Sequence, residues 1–155
     1  MSQWTHVNGS IRLEGMIPFT QPASKEIVIA EIKEHFGSMA LWEDSEEAWD
    51  KCTVPKGSEG SLQYFINCTG ESGSSNTGPK GEFETADYRW VVTIIGDLRR
   101  YDSAEEIIEW VKKSTKDLWV REAVIRISIE GLRYVILTYD HSNNWQVEER
   151  AYAGD

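Results

Sequence analysis

The chain has 155 residues, of which 40% are hydrophobic and 27% are charged, as expected for one globular domain with its own core. Sixteen Lys and Arg against 26 Asp and Glu give a formal net charge of −10, which disfavours a protein that coats nucleic-acid backbones. No apolar run is long enough for a transmembrane helix or a signal peptide, and the two cysteines favour a reducing compartment. We therefore expect a single cytoplasmic domain over residues 1–155, with no membrane contact.

The first third of the chain predicts a strand followed by a helix. Ile11 and Leu13 alternate with polar neighbours, which indicates a strand over residues 4–14, and Gly9 inside it indicates a bulge or a bend. Ser24 and Gly37 are suitable caps for a helix between them. Its predicted apolar face consists of Ile27, Val28, Ile32 and Phe36.

The middle of the chain predicts two strands, a loop and a second helix. Residues 61–68 alternate as a strand does, and the Gly/Ser-rich residues at about 69–87 predict a flexible loop. The nearly continuous apolar run within residues 88–97 predicts a central strand that is covered on both faces. Ser103 and Glu106 then form a capping box at the start of the second helix.

The last third predicts a three-stranded antiparallel meander. Apolar and polar residues alternate over residues 123–130, and Gly131 then begins a predicted two-residue II′ turn. That turn would place Glu130 opposite Arg133. Residues 145–152 follow as the last strand.

This order of elements predicts the fold class. Strand, helix, strand, strand, helix, strand is the order of a ferredoxin-like β-α-β-β-α-β unit. We therefore predict an α+β fold with one or two added C-terminal antiparallel strands and with the helices on one face of the sheet.

Neither a metal site nor a cofactor site is predicted. The histidines and cysteines lack the paired spacing of a zinc site, and the glycine-rich segments match neither phosphate-binding loop motif. Asp140-His141-Ser142 contains the residue types of a catalytic triad, but neighbours on a turn point in different directions. A small hydrolase that uses Asp, Glu or His141 is therefore only the third functional hypothesis.

An acidic segment with tryptophan at each side gives the leading hypothesis, a non-enzymatic binding module. Five of the nine residues from Trp42 to Asp50 are acidic and none is basic. Such a patch would attract a protein partner with a basic surface, because opposite charge steers association and tryptophan anchors interfaces. The predicted partner-binding residues are Trp42, Glu43, Asp44, Glu46, Glu47, Trp49 and Asp50.

The second hypothesis is a small-ligand protein that binds or sequesters a nucleotide signal. Aromatic rings would stack on the base, and guanidinium groups would hold the phosphate. The residues predicted for this role are Arg99, Arg100, Arg126, Arg133 and Trp145. A homodimer that pairs through the terminal edge strand also fits the sequence.

The opening residues Trp4-Thr5-His6-Val7-Asn8-Gly9-Ser10-Ile11-Arg12 resemble the start of uncharacterised small proteins of large tailed bacteriophages. The resemblance covers these nine residues and implies a setting, the cytoplasm of an infected bacterium. Within that setting it implies an inhibitor of a host nucleic-acid enzyme or of a host defence protein.

Overall fold

The computed structural model describes residues 3–16, 24–40, 45–71 and 88–151 as an α+β fold with three helices and one six-stranded antiparallel sheet. The strand order across the sheet is β2-β3-β1-β4-β5-β6. None of the helices in these ranges is long and apolar enough to cross a membrane. The strands are β1 (Trp4–Met16), β2 (Gln63–Glu71), β3 (Tyr88–Arg99), β4 (Leu118–Ile129), β5 (Arg133–Asp140) and β6 (Asn144–Ala151). The helices are α1 (Lys25–Phe36), α2 (Glu46–Asp50) and α3 (Ala104–Thr115).

Both long helices begin at the caps that the sequence predicts. The Ser24 hydroxyl accepts the backbone N–H of Ile27 at the start of α1, and the Ser103 hydroxyl accepts that of Glu106 at the start of α3. Each bond satisfies a donor that the first helical turn leaves without an intrahelical partner. Gly37, with φ of +96°, ends α1 as predicted.

One face of the sheet, the covered face, packs against α1 and α3 and forms the core. Along β4, the residues at alternate positions from Ala123 to Ile129 are buried, as the sequence predicts. The Trp110 indole N–H donates to the Phe36 carbonyl at 3.0 Å and so ties α3 to α1. The largest fully buried side chains on the sheet are Ile11, Leu13, Ile94, Leu98, Ile125, Ile127, Ile129 and Leu137.

The other side of the sheet, the open face, is not covered by any described helix or strand. It consists of every second residue from His6 to Glu14, from Gln63 to Thr69, from Arg89 to Asp97, from Tyr134 to Asp140 and from Asn144 to Arg150, and of residues 119, 121, 122, 124, 126, 128 and 130 around β4. An antiparallel sheet tolerates such a face because it can be solvated on one side.

The prediction that β3 is covered on both faces is wrong. Trp90 and Ile94 are buried on the covered face, but Ile95 is 50% exposed on the open face. An apolar run therefore marks a strand correctly without showing how many of its faces are packed. Ile27, predicted on the buried side of α1, is likewise 54% exposed.

The predicted hairpin register between β4 and β5 is wrong by one residue. Ile129 pairs with Arg133, so three residues lie in the turn instead of two, and Gly131 adopts φ of +73° there. The backbone N–H of Glu130 donates to the Trp4 carbonyl of β1 at 3.0 Å, so it is not free to bond with β5. Glu130 is therefore not the cross-strand partner of Arg133.

Two further predictions about irregular structure need correction. Gly9 lies in regular register with both neighbouring strands and forms no bulge; instead, the β4 backbone passes too close for a side chain there. Residues 69–71, predicted as the start of a loop, belong to β2. The rest of the predicted loop, residues 72–87, lies outside the described residues.

Candidate functional site

Only part of the acidic segment is described. Trp42, Glu43 and Asp44 lie outside the described residues, whereas Glu46, Glu47 and Asp50 are exposed on the short helix α2. Glu47 accepts a hydrogen bond from the Lys51 ammonium group at 2.7 Å. Capture of a basic partner by this segment stays a prediction.

Trp49, the described tryptophan of that segment, is half-buried against the core. The Lys56 ammonium group lies 5.0 Å from the centre of its ring and donates to the Trp49 carbonyl. Two lysines therefore flank α2 and offset part of its negative charge. The indole is therefore used in part for packing.

The residues predicted to hold a nucleotide are not brought together. Arg126 lies on the open face, where its guanidinium carbon is 4.7 Å from the centre of the Tyr134 ring. Arg133 lies on the opposite side of the sheet and forms ion pairs with Glu105 and Glu149 at 2.9 and 2.8 Å.

The remaining three predicted residues also lie apart from one another. Arg99 bonds Glu59, and Arg100 is exposed just after β3. Trp145 packs on Tyr139.

The candidate triad residues form a turn. The Asp140 carboxylate accepts the backbone N–H groups of Ser142 and Asn143, both at 2.8 Å, and the bond from Asn143 is the main reason that the pKa of Asp140 lies below its usual value. This is the common turn-stabilising use of aspartate. Among the described residues no three His, Cys, Asp or Glu side chains are grouped as metal ligands would be, and Cys52 and Cys68 form no disulfide.

The open face exposes more apolar surface than a solvated sheet needs. It carries four of the seven exposed large hydrophobic side chains among the described residues. These are Phe65 at 52%, Ile95 at 50%, Trp119 at 58% and Val124 at 56% exposed. Exposed apolar side chains on one uncovered face are a feature of interaction surfaces.

A row of uncharged residues crosses the open face from one edge of the sheet to the other. Consecutive strand pairings join one residue from each of the six strands, and none of the six is ionisable at neutral pH. We call this the neutral row: Phe65, Thr93, Ser10, Val124, Thr138 and Gln146.

Charged side chains beside the neutral row pair with one another. Arg12 Nε lies 3.0 Å from Glu122 Oε1. On the other side of the row, His6 bonds Asp97 through Nδ1 at 2.5 Å and Glu130 through Nε2 at 2.8 Å. The hydrogen bond with Asp97, followed by that with Glu130, raises the pKa of His6 above 6.5.

A groove of about 400 Å³ at one end of the open face gathers three arginines from three neighbouring strands. We call it the arginine groove; Arg12 of β1, Arg89 of β3 and Arg121 of β4 line it. Arg12 is paired with Glu122, and Arg121 Nε lies 3.7 Å from Glu14. Within the described part of the chain, Arg89 has no carboxylate partner.

Register shifts in the sheet concentrate at the arginine groove. One lies between β2 and β3, and two lie between β1 and β4, all at the same end of the sheet. The residue left without a directly opposed partner at each shift is Thr69, Glu14 or Arg121, and all three line the groove. Such bulges redirect side chains and are frequent beside functional sites.

Comparison with known proteins assigns no family and no activity. No protein-family model, no curated protein and no solved structure matches the chain. The open face and the arginine groove are the features from which we infer a function. Sequence reasoning missed both, because alternation shows that a strand has two sides but not which strands lie beside each other.

Proposed function

We propose that the chain is a non-enzymatic binding module that docks another protein on the open face of its sheet. The observation that carries the proposal is the combination of a face uncovered by the described elements with four half-exposed apolar side chains on it. A centre depleted of charged residues with a charged rim is the usual anatomy of a protein interface.

The charges on the open face support docking without strong repulsion. Five arginines and six carboxylates lie there, so the face is close to neutral in a chain of net charge −10. Several of these groups already pair within the face, including Arg12 with Glu122 and Arg150 with Glu148. A partner can therefore cover the uncharged centre while these paired charges keep their partners.

The test compares capture by the wild-type chain with capture by two matched variants. Ile95→Lys/Val124→Lys places two charges on the open face, and Ile27→Lys places one on α1 at a similarly exposed position. We expect a protein that is retained from the native host's lysate by the wild type and by Ile27→Lys, and that is lost with the double variant. Equal retention of that protein by all three chains would show the proposal to be wrong. So would the absence of specific retention in a chain that also shows no self-association sensitive to the double variant.

A second candidate function is the binding of a small phosphate-bearing ligand in the arginine groove. The convergence of three register shifts on one groove supports it, as does a volume within the range of small-molecule sites. Guanidinium groups match phosphate oxygens with paired hydrogen bonds, and Arg89 would be the main anchor. The exposed Trp119 lies two residues before Arg121 and offers a ring for stacking.

Calorimetric titration with phosphate, pyrophosphate and adenine nucleotides tests this candidate. We expect binding that Arg89→Gln weakens about tenfold or more, because a hydrogen bond to a charged group contributes roughly 1.5–3 kcal/mol. Arg100→Gln is the matched control, since Arg100 is an exposed arginine at the opposite end of β3. No binding of any probe, or equal affinity in both variants, excludes the groove as a phosphate site.

We also infer that β1 to β4 with α1 and α3 form a ferredoxin-like unit to which β5 and β6 are added. The neighbouring order β2-β3-β1-β4 supports this, together with a helix between β1 and β2 and another between β3 and β4. The two added strands widen the open face on the β4 side.

A further inference from the structure

We propose that the partner on the open face is a second copy of this chain, related by a two-fold axis that runs along the neutral row. This inference rests on the proposed function, because it names the occupant of the same face. A symmetric dimer needs a surface that is complementary to itself. The arrangement of side chains on either side of the neutral row has that property on β3 and β4, whereas on β5 Ile136 would face Asp140 of the second copy.

Rotation about the neutral row brings the two ends of each strand opposite each other. On β3, Arg89 lies four residues before Thr93 and Asp97 lies four residues after it. On β4, Glu122 lies two residues before Val124 and Arg126 lies two residues after it. In the dimer, Arg89 would therefore face Asp97 of the second copy, and Glu122 would face Arg126 of the second copy.

Apolar residues match in the same rotation. Val91 lies two residues before Thr93 and would face Ile95 of the second copy, two residues after it. The members of the neutral row would meet their own counterparts, so Phe65 and Val124 would bury their exposed side chains against apolar groups. On β3 and β4, opposite charges of the two copies would thus face each other on either side of an uncharged centre.

The size of the open face also suits a dimer. Six strands about 4.8 Å apart and four rows of side chains give a surface of about 29 Å by 25 Å, roughly 700 Å² per copy. Stable interfaces bury about 600–1,000 Å² on each partner. Sheets pack face to face at about 10 Å with their strands nearly aligned, which keeps the matched rows in contact.

The charge balance of the open face permits association of two acidic chains. Two chains of net charge −10 repel each other. The open face itself holds six carboxylates and five arginines, so it contributes almost no net charge to that repulsion. Association through the open face therefore meets little local like-charge repulsion.

Sedimentation velocity of the full chain, from low to high micromolar concentration, tests the proposal. We expect the wild type to dimerise. The facing pair Glu122 and Arg126 occurs twice in the dimer. Arg126→Glu would make both pairs carboxylate against carboxylate, and Glu122→Arg would make both guanidinium against guanidinium. Each variant alone should dimerise at least about tenfold more weakly, since juxtaposed like charges oppose association strongly.

Mixing the two variants gives the decisive measurement. A heterodimer of Arg126→Glu with Glu122→Arg restores opposite charges at both facing pairs of β4, so the mixture should dimerise at least about tenfold more strongly than either variant alone. Arg12, which loses its Glu122 partner in one chain, accounts for any remaining difference from the wild type. Lys113→Glu, an exposed charge reversal on α3, is the control and should leave dimerisation unchanged. Circular dichroism confirms that each variant is folded.

Failure of the dimer is distinguishable from failure of the proposed function. A wild type that stays monomeric overturns the second copy as occupant, while the capture comparison still decides whether another protein binds the open face. Dimerisation that persists in the single variants, or that the mixture does not restore, shows a different interface, such as the β6 edge, and also overturns the proposal.

Discussion

The covered face and the open face of the sheet alternate along the same strands, yet they differ in composition and in burial. Ile125 is fully buried, whereas its neighbour Val124 is 56% exposed. The described lysines all lie on the helices or their connections, whereas the open face carries five arginines and no described lysine. Arginine is enriched in interfaces and lysine is depleted. Among the described residues one face therefore supplies the core, and the other is the face on which we propose recognition.

The largest expected effect separates the two faces with adjacent residues. Ile125→Ala removes a fully buried side chain and should lower the free energy of unfolding by about 2–5 kcal/mol, through lost burial and the cavity left behind. Val124→Ala removes an exposed side chain from the next position and should cost less than about 1 kcal/mol. Urea denaturation at low protein concentration measures both. Similar costs at the two positions would mean that the open face is also structural.

A methyl group at Gly9 tests how closely β1 approaches β4 on the covered face. A Cβ atom there would lie 2.3 Å from the Val124 carbonyl oxygen and 2.6 Å from the Ile125 Cα, so backbone would have to move. We expect Gly9→Ala to cost about 1–3 kcal/mol in the same denaturation experiment, which is typical of overpacking. Ser10→Ala, one residue away on the open face, is the matched control and should change stability little. An unchanged Gly9→Ala protein would contradict the close approach.

The features that the sequence predicts correctly depend on neighbouring residues. The Ser24 and Ser103 caps follow from one polar side chain before a helical pattern, and the strand from Ala123 to Ile129 follows from strict alternation. Both signals extend over a few residues only, so no knowledge of the tertiary fold is needed to read them.

The features that the sequence does not predict depend on residues far apart in the chain. His6 meets Asp97 and Glu130, which are 91 and 124 residues away. The predicted hairpin register is wrong because the backbone N–H of Glu130 bonds the Trp4 carbonyl on a third strand. The neutral row likewise requires the order of all six strands, and alternation within one strand carries no information about that order.

The smallest expected effect concerns pH and the charged rim of the open face. The pKa of His6 in the folded protein is raised above 6.5. The folded protein therefore holds the His6 proton more tightly than the unfolded chain does. The resulting stabilisation is complete below pH 6.5 and is lost as the pH rises through the folded pKa. His6 has a side chain that is 43% exposed, so solvent screening limits its contribution to roughly 0.5–1 kcal/mol.

Unfolding of the wild type and of His6→Gln, followed from about pH 5.5 to about pH 9, tests that sign. The wild type should be more stable at the acidic end, by about 2–4 °C in the unfolding midpoint for each kcal/mol, and the difference should shrink towards the alkaline end. His35→Gln on α1 is the control, since His35 is not held between two carboxylates. If the stability difference between the wild type and His6→Gln grows with pH, folding favours neutral His6. In that case no imidazolium bridges Asp97 and Glu130 at this end of the open face.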